Sequence, residues 1–359
     1  MNKKPVLSIC IPTYNRAALV YECVSGILKS KSKDIEVVVS DNASEDTTSL
    51  LLSKIKDNRF HYNRNKTNIG SLNVINVLEY AQGNWLLLIS DECRFFNIEQ
   101  ISIMVNELDS YQNVSIVYYN VITNGLKYIR SEKDIRYKKG IEAFFHAGKI
   151  AFIPGIVFNK KQLSFNNIHK LINNVKKRNL TTLYPHICIQ YMAFFRGDIV
   201  MKKDFLLQEI FRPNIYQEKW SITMKDLFDF SLYLSGKIDM NPEEKVFLLF
   251  QCILNWFYVD TWEEEFDKNK GKTVLVNDKC QIIKKGINNI LLFEIIYKKV
   301  IAKILNCKSF KIVKKQYPEQ YSYYKSREKY YKKSILKSIV KIEEWEKEFF
   351  DNFQVYHYL

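Results

Sequence analysis

The sequence has no paired cysteines. Its seven cysteines, at positions 10, 23, 93, 188, 252, 280 and 307, are scattered, and no two of them are separated by only two residues. An odd, scattered set argues against a zinc knuckle and against a secreted disulfide framework. We therefore expect reduced thiols and a cytoplasmic protein.

The sequence also lacks a long apolar run. No segment approaches the roughly 18 consecutive apolar residues that span a bilayer. The basic start, Met1–Lys4, is followed by an apolar run that breaks at Pro12 and is too short for the core of a signal peptide. We expect a protein of the cytoplasm, either soluble or attached peripherally to the cytoplasmic face of the inner membrane.

Glycine and proline are scarce, with 11 and 7 among 359 residues, whereas 47% of the chain is hydrophobic and 14% is aromatic. This composition indicates a folded, helix-rich protein with short connections rather than a disordered one. Strand patterns thin out beyond about residue 212, and helical periodicity then dominates. We predict an α/β domain over residues 1–210 and a mainly helical, basic domain over residues 211–359.

The positive charge is distributed unevenly. Residues 271–340 contain 17 Lys and Arg against 4 Asp and Glu, a net charge of +13 in a chain that totals +15. A solvated helical face explains this segment as well as a partner does, and the partners that such a patch attracts are nucleic acid and anionic membrane. Because no nucleic-acid recognition motif is present, we expect no nucleic acid and favour peripheral association with anionic lipid.

The first hundred residues repeat one pattern, a short apolar strand that ends in polar or acidic residues. The three strands are Leu7–Ile11, Ile35–Val39 and Trp85–Ile89. Segments of helix length separate them, which predicts a parallel α/β sheet. Ligand-binding groups gather at the carboxyl ends of the strands in such sheets, so we expect the ligand-binding site there.

Weaker patterns predict the remaining elements of the first domain. Further helices are predicted over residues 17–29, 47–56, 72–78, 98–108, 141–147 and 184–195. Further strands are predicted over residues 60–62, 114–119, 152–158 and 199–201, the third of them with a break at Pro154 and Gly155. A loop or small hairpin is predicted over residues 121–137.

Four motifs together resemble those of a known family. They are Pro12-Thr13-Tyr14-Asn15-Arg16, Ser40-Asp41-Asn42-Ala43-Ser44, Asn68-Ile69-Gly70 and Ser90-Asp91-Glu92. In this order and spacing they closely resemble the family 2 glycosyltransferases of the GT-A fold, over roughly residues 5–200. The resemblance implies a Rossmann-like, mostly parallel sheet with flanking helices. It also implies transfer of a sugar from a nucleoside diphosphate sugar, usually with inversion and a divalent metal.

The resemblance assigns most of these motif residues to the sugar donor. A strand that ends at Pro12 and Thr13 leaves backbone groups pointing out of the sheet, where they can read a pyrimidine edge. In the family an acid at the position of Asp41 contacts uracil, which makes a UDP-sugar the expected donor. A helix N-terminus after Asn68-Ile69-Gly70 suits the diphosphate. The residues expected to bind the nucleotide sugar are Pro12, Thr13, Tyr14, Arg16, Asp41, Asn68, Gly70 and Asp91.

Two groups of residues near the expected donor site have alternative interpretations that involve no ligand. Residues 41–46, taken alone, are typical of a turn and a helix cap. Arg64 and Lys66 stand near the expected diphosphate site, where they are either counter-charges or solvated loop cations.

The acidic motif departs from the usual pattern of the family. Many members carry Asp-x-Asp, whose last acid holds Mg²⁺ or Mn²⁺, but the last position here is Cys93, a poor ligand for a hard cation. Other members place the metal on the second acid of an adjacent pair. We therefore expect Glu92 to hold the divalent metal and Asp91 to contact the ribose. The metal would neutralise charge that develops on the leaving diphosphate.

Inverting transfer also needs a base that deprotonates the acceptor hydroxyl. The family often supplies it from a Glu-Asp pair that opens a helix, eleven residues before the glycine that ends it. Counted back from Gly197, that position is His186. No Asp or Glu lies between Gln162 and Arg196, so His186 is the expected base, with His169 as the other titratable side chain and a structural histidine as the alternative.

The sequence thus predicts an inverting glycosyltransferase of bacterial surface polysaccharide synthesis, with a saccharide or lipid-linked acceptor. The alternative is a degenerate glycosyltransferase that acts as a scaffold or sugar-binding subunit, because Cys93 and the missing Glu-Asp pair both depart from the family. A nucleotidyltransferase is disfavoured, since residues 12–16 lack the glycines of a phosphate-binding loop. An oligomer is compatible with each of these interpretations.

Overall fold

A computed structural model describes residues 4–209, apart from residues 124, 149, 151 and 178–183. The predicted helical domain at residues 211–359, with its cationic segment 271–340, lies outside the described residues. In the part of the chain that is described, no helix has the length and apolarity needed to cross a membrane.

Strands and helices alternate along the described chain, which confirms the predicted α/β class. The strands are β1 Leu7–Thr13, β2 Ile35–Asp41, β3 Phe60–Arg64, β4 Trp85–Leu88, β5 Cys93–Phe95, β6 Val114–Thr123, β7 Leu126–Tyr128, β8 Ile135–Tyr137, β9 Ile156–Asn159 and β10 Asp198–Glu209. The helices are α1 Ala17–Ile27, α2 Thr48–Leu52, α3 Asn73–Tyr80, α4 Gln100–Ser110, α5 Ile141–Ala147, α6 Phe165–Lys177 and α7 Pro185–Phe194, with short 3₁₀ turns at Gly70–Leu72 and Lys160–Gln162.

The described strands form one sheet, whose order is β3-β2-β1-β4-β9-β6-β10-β5, with β7 beside β6 and β8 beside β10. Strands β3, β2, β1 and β4 are mutually parallel, as are β6 and β10. Strand β9 runs antiparallel between β4 and β6, and β5 runs antiparallel beside β10. The sheet is therefore parallel in its first half, as predicted, and mixed in its second half.

Strands β1 and β2 are buried in the hydrophobic core of the domain. Every residue of β2 is buried, and in β1 only Pro12 is partly exposed. Helix α1 contributes Val20, Val24 and Ile27 to the core beside these strands, and α3 packs against both of them. Full burial of such a side chain contributes about 1.5–3 kcal/mol. This core holds the ends of β1 and β2 in place.

The predicted boundaries of two strands are wrong. Residues 152–158 were expected to form a strand with a break at Pro154 and Gly155, but β9 begins only after that break, because these two residues form a turn in which Gly155 has a φ of +81°. Strand β10, predicted over residues 199–201, continues to Glu209 because it pairs with β8, β6 and β5 along its length. Strand pairing outweighs the polar stretch at residues 202–204.

Other elements have no counterpart in the sequence prediction. Helix α6 is rich in Asn and Lys, and sequence reasoning missed the helical spacing of its five apolar residues, while β5 is only three residues long. The predicted loop or hairpin over residues 121–137 contains the end of β6 and the short strands β7 and β8.

One side of the sheet collects the ends of the strands. Strands β1, β2, β3 and β4 run in the same direction, so their carboxyl ends lie side by side. Strands β6 and β10 also end on this side, because β9 is antiparallel to both β4 and β6. We call this side the carboxyl edge. It carries the motif residues that follow β1, β2 and β4.

Candidate active site

The last residues of three neighbouring strands form a row along the carboxyl edge. Thr13 of β1 lies beside Asp41 of β2 in the strand register, and Asp41 lies beside Arg64 of β3. Backbone pairing continues past the strand ends, since the Asn42 N–H donates to the Thr13 carbonyl at 2.9 Å and the Asn65 N–H donates to the Asp41 carbonyl at 2.8 Å. The loops that follow these strands therefore start from fixed, adjacent positions.

The acidic motif meets the first motif at the end of β4. The Thr13 hydroxyl donates to Asp91 Oδ2 at 2.8 Å, and Arg16 Nη1 donates to Asp91 Oδ1 at 3.0 Å. The same Nη1 lies 3.9 Å from Glu92 Oε2. Asp91 and Glu92 are only 2% and 6% exposed, so Arg16 offsets the charge of a buried acid pair. Four of the residues predicted to bind donor or metal thus lie together.

Burial and the neighbouring cation act on Asp91 in opposite directions. Burial raises the pKa of Asp91 above its ordinary value, whereas the Arg16 guanidinium and the Thr13 hydroxyl favour the carboxylate and oppose that shift. Arg16 and Thr13 therefore hold Asp91 in place and also favour its ionised form.

Cys93, at the usual metal position of the family, belongs to the hydrophobic core. It is fully buried, its Sγ lies 3.0 Å from Ser90 Oγ, and burial raises the pKa of the thiol far above its ordinary value. A neutral core thiol is no ligand for Mg²⁺ or Mn²⁺. Of the three residues 91–93, the two acids are the ones with the chemistry of a metal and ribose site.

Asp41 is fully buried beneath polar neighbours. Its Oδ1 accepts from the Ser44 N–H at 2.9 Å, and its Oδ2 accepts from the Tyr62 hydroxyl at 2.7 Å. Burial and the hydrogen bond to Asp41 raise the pKa of Tyr62 to about 12. Both oxygens of the predicted uracil-reading acid are therefore engaged by the protein.

The loops that follow β1 and β2 are bound to each other. The Asn15 N–H donates to Ser44 Oγ at 2.8 Å, and the Glu45 N–H donates to Asn15 Oδ1 at 2.8 Å. Asn15 has a φ of +52°, a conformation that asparagine tolerates better than most residues. Tyr14, the residue before it, is 40% exposed, so its ring is available at the carboxyl edge.

Asparagine amides hold the loop predicted to bind the diphosphate. Asn42 Nδ2 donates to Asn68 Oδ1 at 2.7 Å and to the Gly70 carbonyl at 3.1 Å. Asn42 Oδ1 accepts from Asn65 Nδ2 at 3.1 Å. Gly70, with a φ of +63°, opens the 3₁₀ turn that leads into α3. The end of β2 thus fixes Asn68 and Gly70.

Asn73 extends this network into the core and was missed by sequence reasoning. Its Oδ1 accepts from Asn65 Nδ2 at 2.9 Å and from Ser40 Oγ at 2.6 Å, and its Nδ2 donates to the Ser40 carbonyl at 2.7 Å. The sequence feature that could have pointed to this network is a cluster of five asparagines from position 63 to position 76.

His186, the predicted base, is the second residue of α7. It is 1% exposed, and its ring lies edge-on to that of Tyr184, with centroids 6.0 Å apart. Helix α7 packs against β6, α3, α5 and α6. The structure thus places His186 in the helical layer beside the sheet, and its role as the base stays a prediction.

Glu209, the last described residue, is a third acid near the acidic motif. In the β10–β5 register it lies opposite Cys93. The Thr123 hydroxyl donates to Glu209 Oε2 at 2.6 Å, and the Ser90 hydroxyl donates to Oε1 at 3.4 Å. Burial raises the pKa of Glu209 above its ordinary value. No motif marks this residue in the sequence, because only strand pairing brings it here.

The side chains at the acidic motif suit a metal ion that is held partly by the protein and partly by the substrate. No group of three His, Cys, Asp or Glu side chains within the described ranges is arranged to bind a metal. Mg²⁺ commonly takes one or two protein carboxylates and completes its shell with phosphate oxygens and water. Glu92 offers such a carboxylate, whereas Asp91 already holds Thr13 and Arg16. This donor set fits a cation shared with a diphosphate and does not fit an all-protein cage.

Comparison with known proteins identifies the family. The model of glycosyl transferase family 2 matches residues 8–202, which is more than half of the chain. The chain belongs to glycosyl transferase family 2. The matched region contains all four motifs and runs from β1 into β10. The family predicted from those motifs is therefore confirmed.

Two curated relatives have names that specify their activities. A GalNAc(5)-diNAcBac-PP-undecaprenol beta-1,3-glucosyltransferase of Campylobacter jejuni is 29% identical over 214 residues, which are 55% of this chain and 67% of the relative. A UDP-Glc:alpha-D-GlcNAc-diphosphoundecaprenol beta-1,3-glucosyltransferase of Escherichia coli is 29% identical over 282 residues, which are 74% of this chain and 98% of the relative. Across the first relatives matched, the aligned region covers only 53–67% of the relative's own length.

A solved structure supports the fold independently. The crystal structure of Staphylococcus aureus TarS 1–349 in complex with UDP-GlcNAc has a TM-score of 0.55 to this chain at 13% identity. The similarity covers 88% of this family 2 chain and 92% of TarS 1–349. At this identity the likeness concerns the fold alone, and it confirms the GT-A prediction.

Proposed function

We propose that this protein transfers a sugar from a UDP-sugar to a hydroxyl of a lipid-linked saccharide, with inversion, during synthesis of a bacterial surface polysaccharide. The observation that carries this proposal is the convergence of Thr13, Arg16, Asp91 and Glu92 at the carboxyl edge. It brings a hydroxyl, a cation and two acids to the place where α/β sheets bind nucleotides.

The surroundings of this set suit a nucleotide sugar. Pro12 and the exposed Tyr14 border the position expected for the base, Asp91 is the proposed ribose contact, and the exposed turn at Asn68 and Gly70 is the proposed diphosphate site. The Escherichia coli relative is named for a UDP-Glc donor, which supports UDP as the nucleotide.

The names of the relatives also support the proposed acceptor. Both relatives are named for saccharides linked to diphosphoundecaprenol. We propose that the protein meets such an acceptor at the cytoplasmic face of the inner membrane. The net charge of +13 in residues 271–340 would favour anionic lipid there.

The proposed chemistry divides the work among a few side chains. Glu92 would hold Mg²⁺ or Mn²⁺ together with the donor diphosphate, and the cation supplies neutralisation of charge on the leaving group. Thr13 and Arg16 orient Asp91. His186 is the proposed base, which would take the proton of the acceptor hydroxyl as its oxygen bonds to the anomeric carbon and UDP departs.

Calorimetric titration with UDP, GDP, CDP and dTDP, each with and without Mn²⁺, tests the donor site. We expect UDP to bind, and Mn²⁺ to strengthen its binding. Glu92→Gln should abolish most of that strengthening, whereas the exposed Glu132→Gln should keep it. Equal strengthening in Glu92→Gln would remove Glu92 as the ligand. No binding of any of the four nucleotides would contradict the proposal and favour the scaffold.

A further inference from the structure

The backbone of the acidic motif is bound by the side chain of Arg94, in the middle of β5. Asp91 and Glu92 form the turn between β4 and β5, which the Cys93 N–H closes by donating to the Ser90 carbonyl at 3.0 Å. Arg94 Nη1 donates to the Asp91 carbonyl at 3.1 Å and to the Cys93 carbonyl at 2.9 Å. These two carbonyls belong to the residues on either side of Glu92. Arg94 therefore fixes the main chain on both sides of the proposed metal ligand.

The second terminal nitrogen of Arg94 is bound to helix α1. Its Nη2 donates to the Leu19 carbonyl at 3.3 Å and to Glu22 Oε2 at 3.0 Å, and α1 packs against β5. Helix α1 begins directly after Arg16, the cation that binds Asp91. The planar guanidinium of Arg94 thus ties the acidic turn to the helix that follows the counter-charge of the acid pair.

The contacts of Arg94 differ in kind from those of Thr13 and Arg16. Thr13 and Arg16 bind the carboxylate of Asp91, whereas Arg94 binds the backbone of the turn. A cation such as Mg²⁺ demands near-ideal geometry from its ligands, so a single protein carboxylate must be held at a defined position. Groups that orient a metal ligand without touching the metal typically change metal affinity or activity by roughly 10–100-fold when they are lost.

We infer that Arg94 is a positioning residue of the proposed metal site. By binding the carbonyls on both sides of Glu92, it holds the Glu92 carboxylate where a cation can be shared with the donor diphosphate. This inference rests on the proposed function, because it needs Glu92 to be a metal ligand. The effect is one of geometry, since the atoms that Arg94 binds in the turn are neutral carbonyl oxygens.

Arg59 provides a matched control for Arg94. Its two terminal nitrogens donate to three backbone carbonyls and to the carboxylate of Asp57. It lies just before β3, and therefore at the end of the parallel strands opposite to the carboxyl edge. Replacement of Arg59 by lysine removes the same kind of contacts without touching the acidic turn.

The test compares Arg94→Lys, Arg94→Gln and Arg59→Lys, all below their melting temperatures. Calorimetry measures the affinity of UDP with a chelator and that of Mn²⁺ for the UDP-bound protein, and hydrogen exchange of the Cys93 amide is followed without ligand. Both Arg94 variants should weaken Mn²⁺ binding at least about tenfold and speed the exchange. Lysine should not rescue, because a single ammonium nitrogen lacks the planar fork.

Two affinities should stay as they are in the wild-type protein. Metal-free UDP binding should be unchanged in the Arg94 variants, because the Asp91 carboxylate keeps its contacts with Thr13 and Arg16. Arg59→Lys should lower the melting temperature but leave Mn²⁺ binding unchanged.

Other results would overturn the inference. Unchanged Mn²⁺ affinity in both Arg94 variants would reduce Arg94 to a structural link between β5 and α1. Full rescue by Arg94→Lys would assign the effect to charge, and an equal loss in Arg59→Lys would assign it to a general loss of stability. In each of these cases Mn²⁺ still strengthens UDP binding in the wild-type protein, so the proposed function survives. Failure of Mn²⁺ to bind the wild-type protein with UDP would contradict the metal role in the proposed function and this inference together.

Discussion

Several polar side chains at the carboxyl edge are buried and are held in place by hydrogen bonds that water does not reach. Thr13, Asp41 and Asp91 are all 3% exposed or less, and their side chains bind one another's loops or neighbouring strands. A buried polar group that loses its partner costs about 1–3 kcal/mol. The geometry of the edge is therefore sensitive to changes that leave the apolar core intact.

Asn73 offers a direct test of this dependence. Asn73→Ala removes the acceptor of Ser40 Oγ and Asn65 Nδ2 and the donor to the Ser40 carbonyl. We expect a loss of about 2–3 kcal/mol in the free energy of unfolding, measured by urea denaturation. Weaker UDP binding should accompany it, because the Asn65 and Asn42 amides become less ordered.

The matched control for Asn73 is Asn106→Ala on α4, where the side chain is exposed. This variant should keep or slightly increase stability, because alanine is the better helix former. Equal stability of both variants would show that the asparagine network does not order the edge.

The sequence predicted the site residues that directly follow a strand. It did not predict the residues that reach the site only through tertiary structure. Thr13 and Asp91 were expected at the same edge of the sheet because each comes just after a predicted parallel strand. Glu209 and Asn73 could not be found in this way. Glu209 approaches the acidic motif only through the pairing of β10 with β5, and Asn73 acquires its role from the buried position of α3.

The pairing of β4 with β1 brings Gly83 very close to Ser8, at a position outside the candidate active site. Gly83, just before β4, donates its N–H to Ser8 Oγ at 2.7 Å and to Glu36 Oε1 at 3.1 Å. A Cβ at Gly83 would lie 2.4 Å from Ser8 Oγ and 2.7 Å from the Ser8 nitrogen. Gly83→Ala should therefore destabilise the protein by about 1–3 kcal/mol or more, measured by urea denaturation.

Gly26→Ala is the control for Gly83, because a Cβ at Gly26 in α1 meets nothing within 4 Å. It should stabilise the protein by roughly 0.5–1 kcal/mol, as alanine replaces glycine inside a helix. A neutral Gly83→Ala would contradict the packing of β4 against β1 described above.

The start of β10 carries a carboxyl that links stability to pH. Burial acts to raise the pKa of Asp198, but the Lys139 N–H and the Arg136 guanidinium, at 3.0 and 2.8 Å, outweigh it and lower that pKa. Asp198 thus contributes stability above its unfolded pKa of about 3.9, and this contribution is lost as the pH falls through the lowered value. Asp198→Asn should lower the melting temperature by about 2–4 °C at pH 7, with the difference shrinking below pH 4.

The exposed Asp109→Asn serves as the control for Asp198 and should change the melting temperature little at either pH. A deficit in Asp198→Asn that does not shrink at all as the pH falls below 4 would assign the effect to packing rather than to charge.

Element prediction worked best for strands with continuous apolar sequence. β1, β2 and β4 are buried along nearly their whole length, so their composition reveals them. In β10 a polar stretch at residues 202–204 interrupts the apolar pattern, and in α6 the helical spacing of five apolar residues among Asn and Lys was missed. Pro154 and Gly155 were recognised as a break, but not as the turn that shortens β9.

At the scale of the whole molecule, a parallel half-sheet and a mixed half-sheet end at one carboxyl edge. The parallel half brings Thr13, Asp41 and Arg64 into a row, and the mixed half adds Glu209 beside the acidic motif. The family 2 match covers this domain. In the proposed function, the donor binds at the parallel half of the sheet and at the acid pair Asp91 and Glu92, which follows β4.

The most direct test of this account is acceptor-dependent release of UDP. The full chain is incubated with a panel of UDP-sugars and a diphosphoundecaprenol-linked saccharide, with Mn²⁺ or with a chelator. The account predicts that one UDP-sugar releases UDP only when acceptor and metal are both present, and that Glu92→Gln lowers the rate at least about tenfold. No acceptor-dependent release from any UDP-sugar, in a protein that still binds UDP, would contradict the account and leave a nucleotide-binding scaffold.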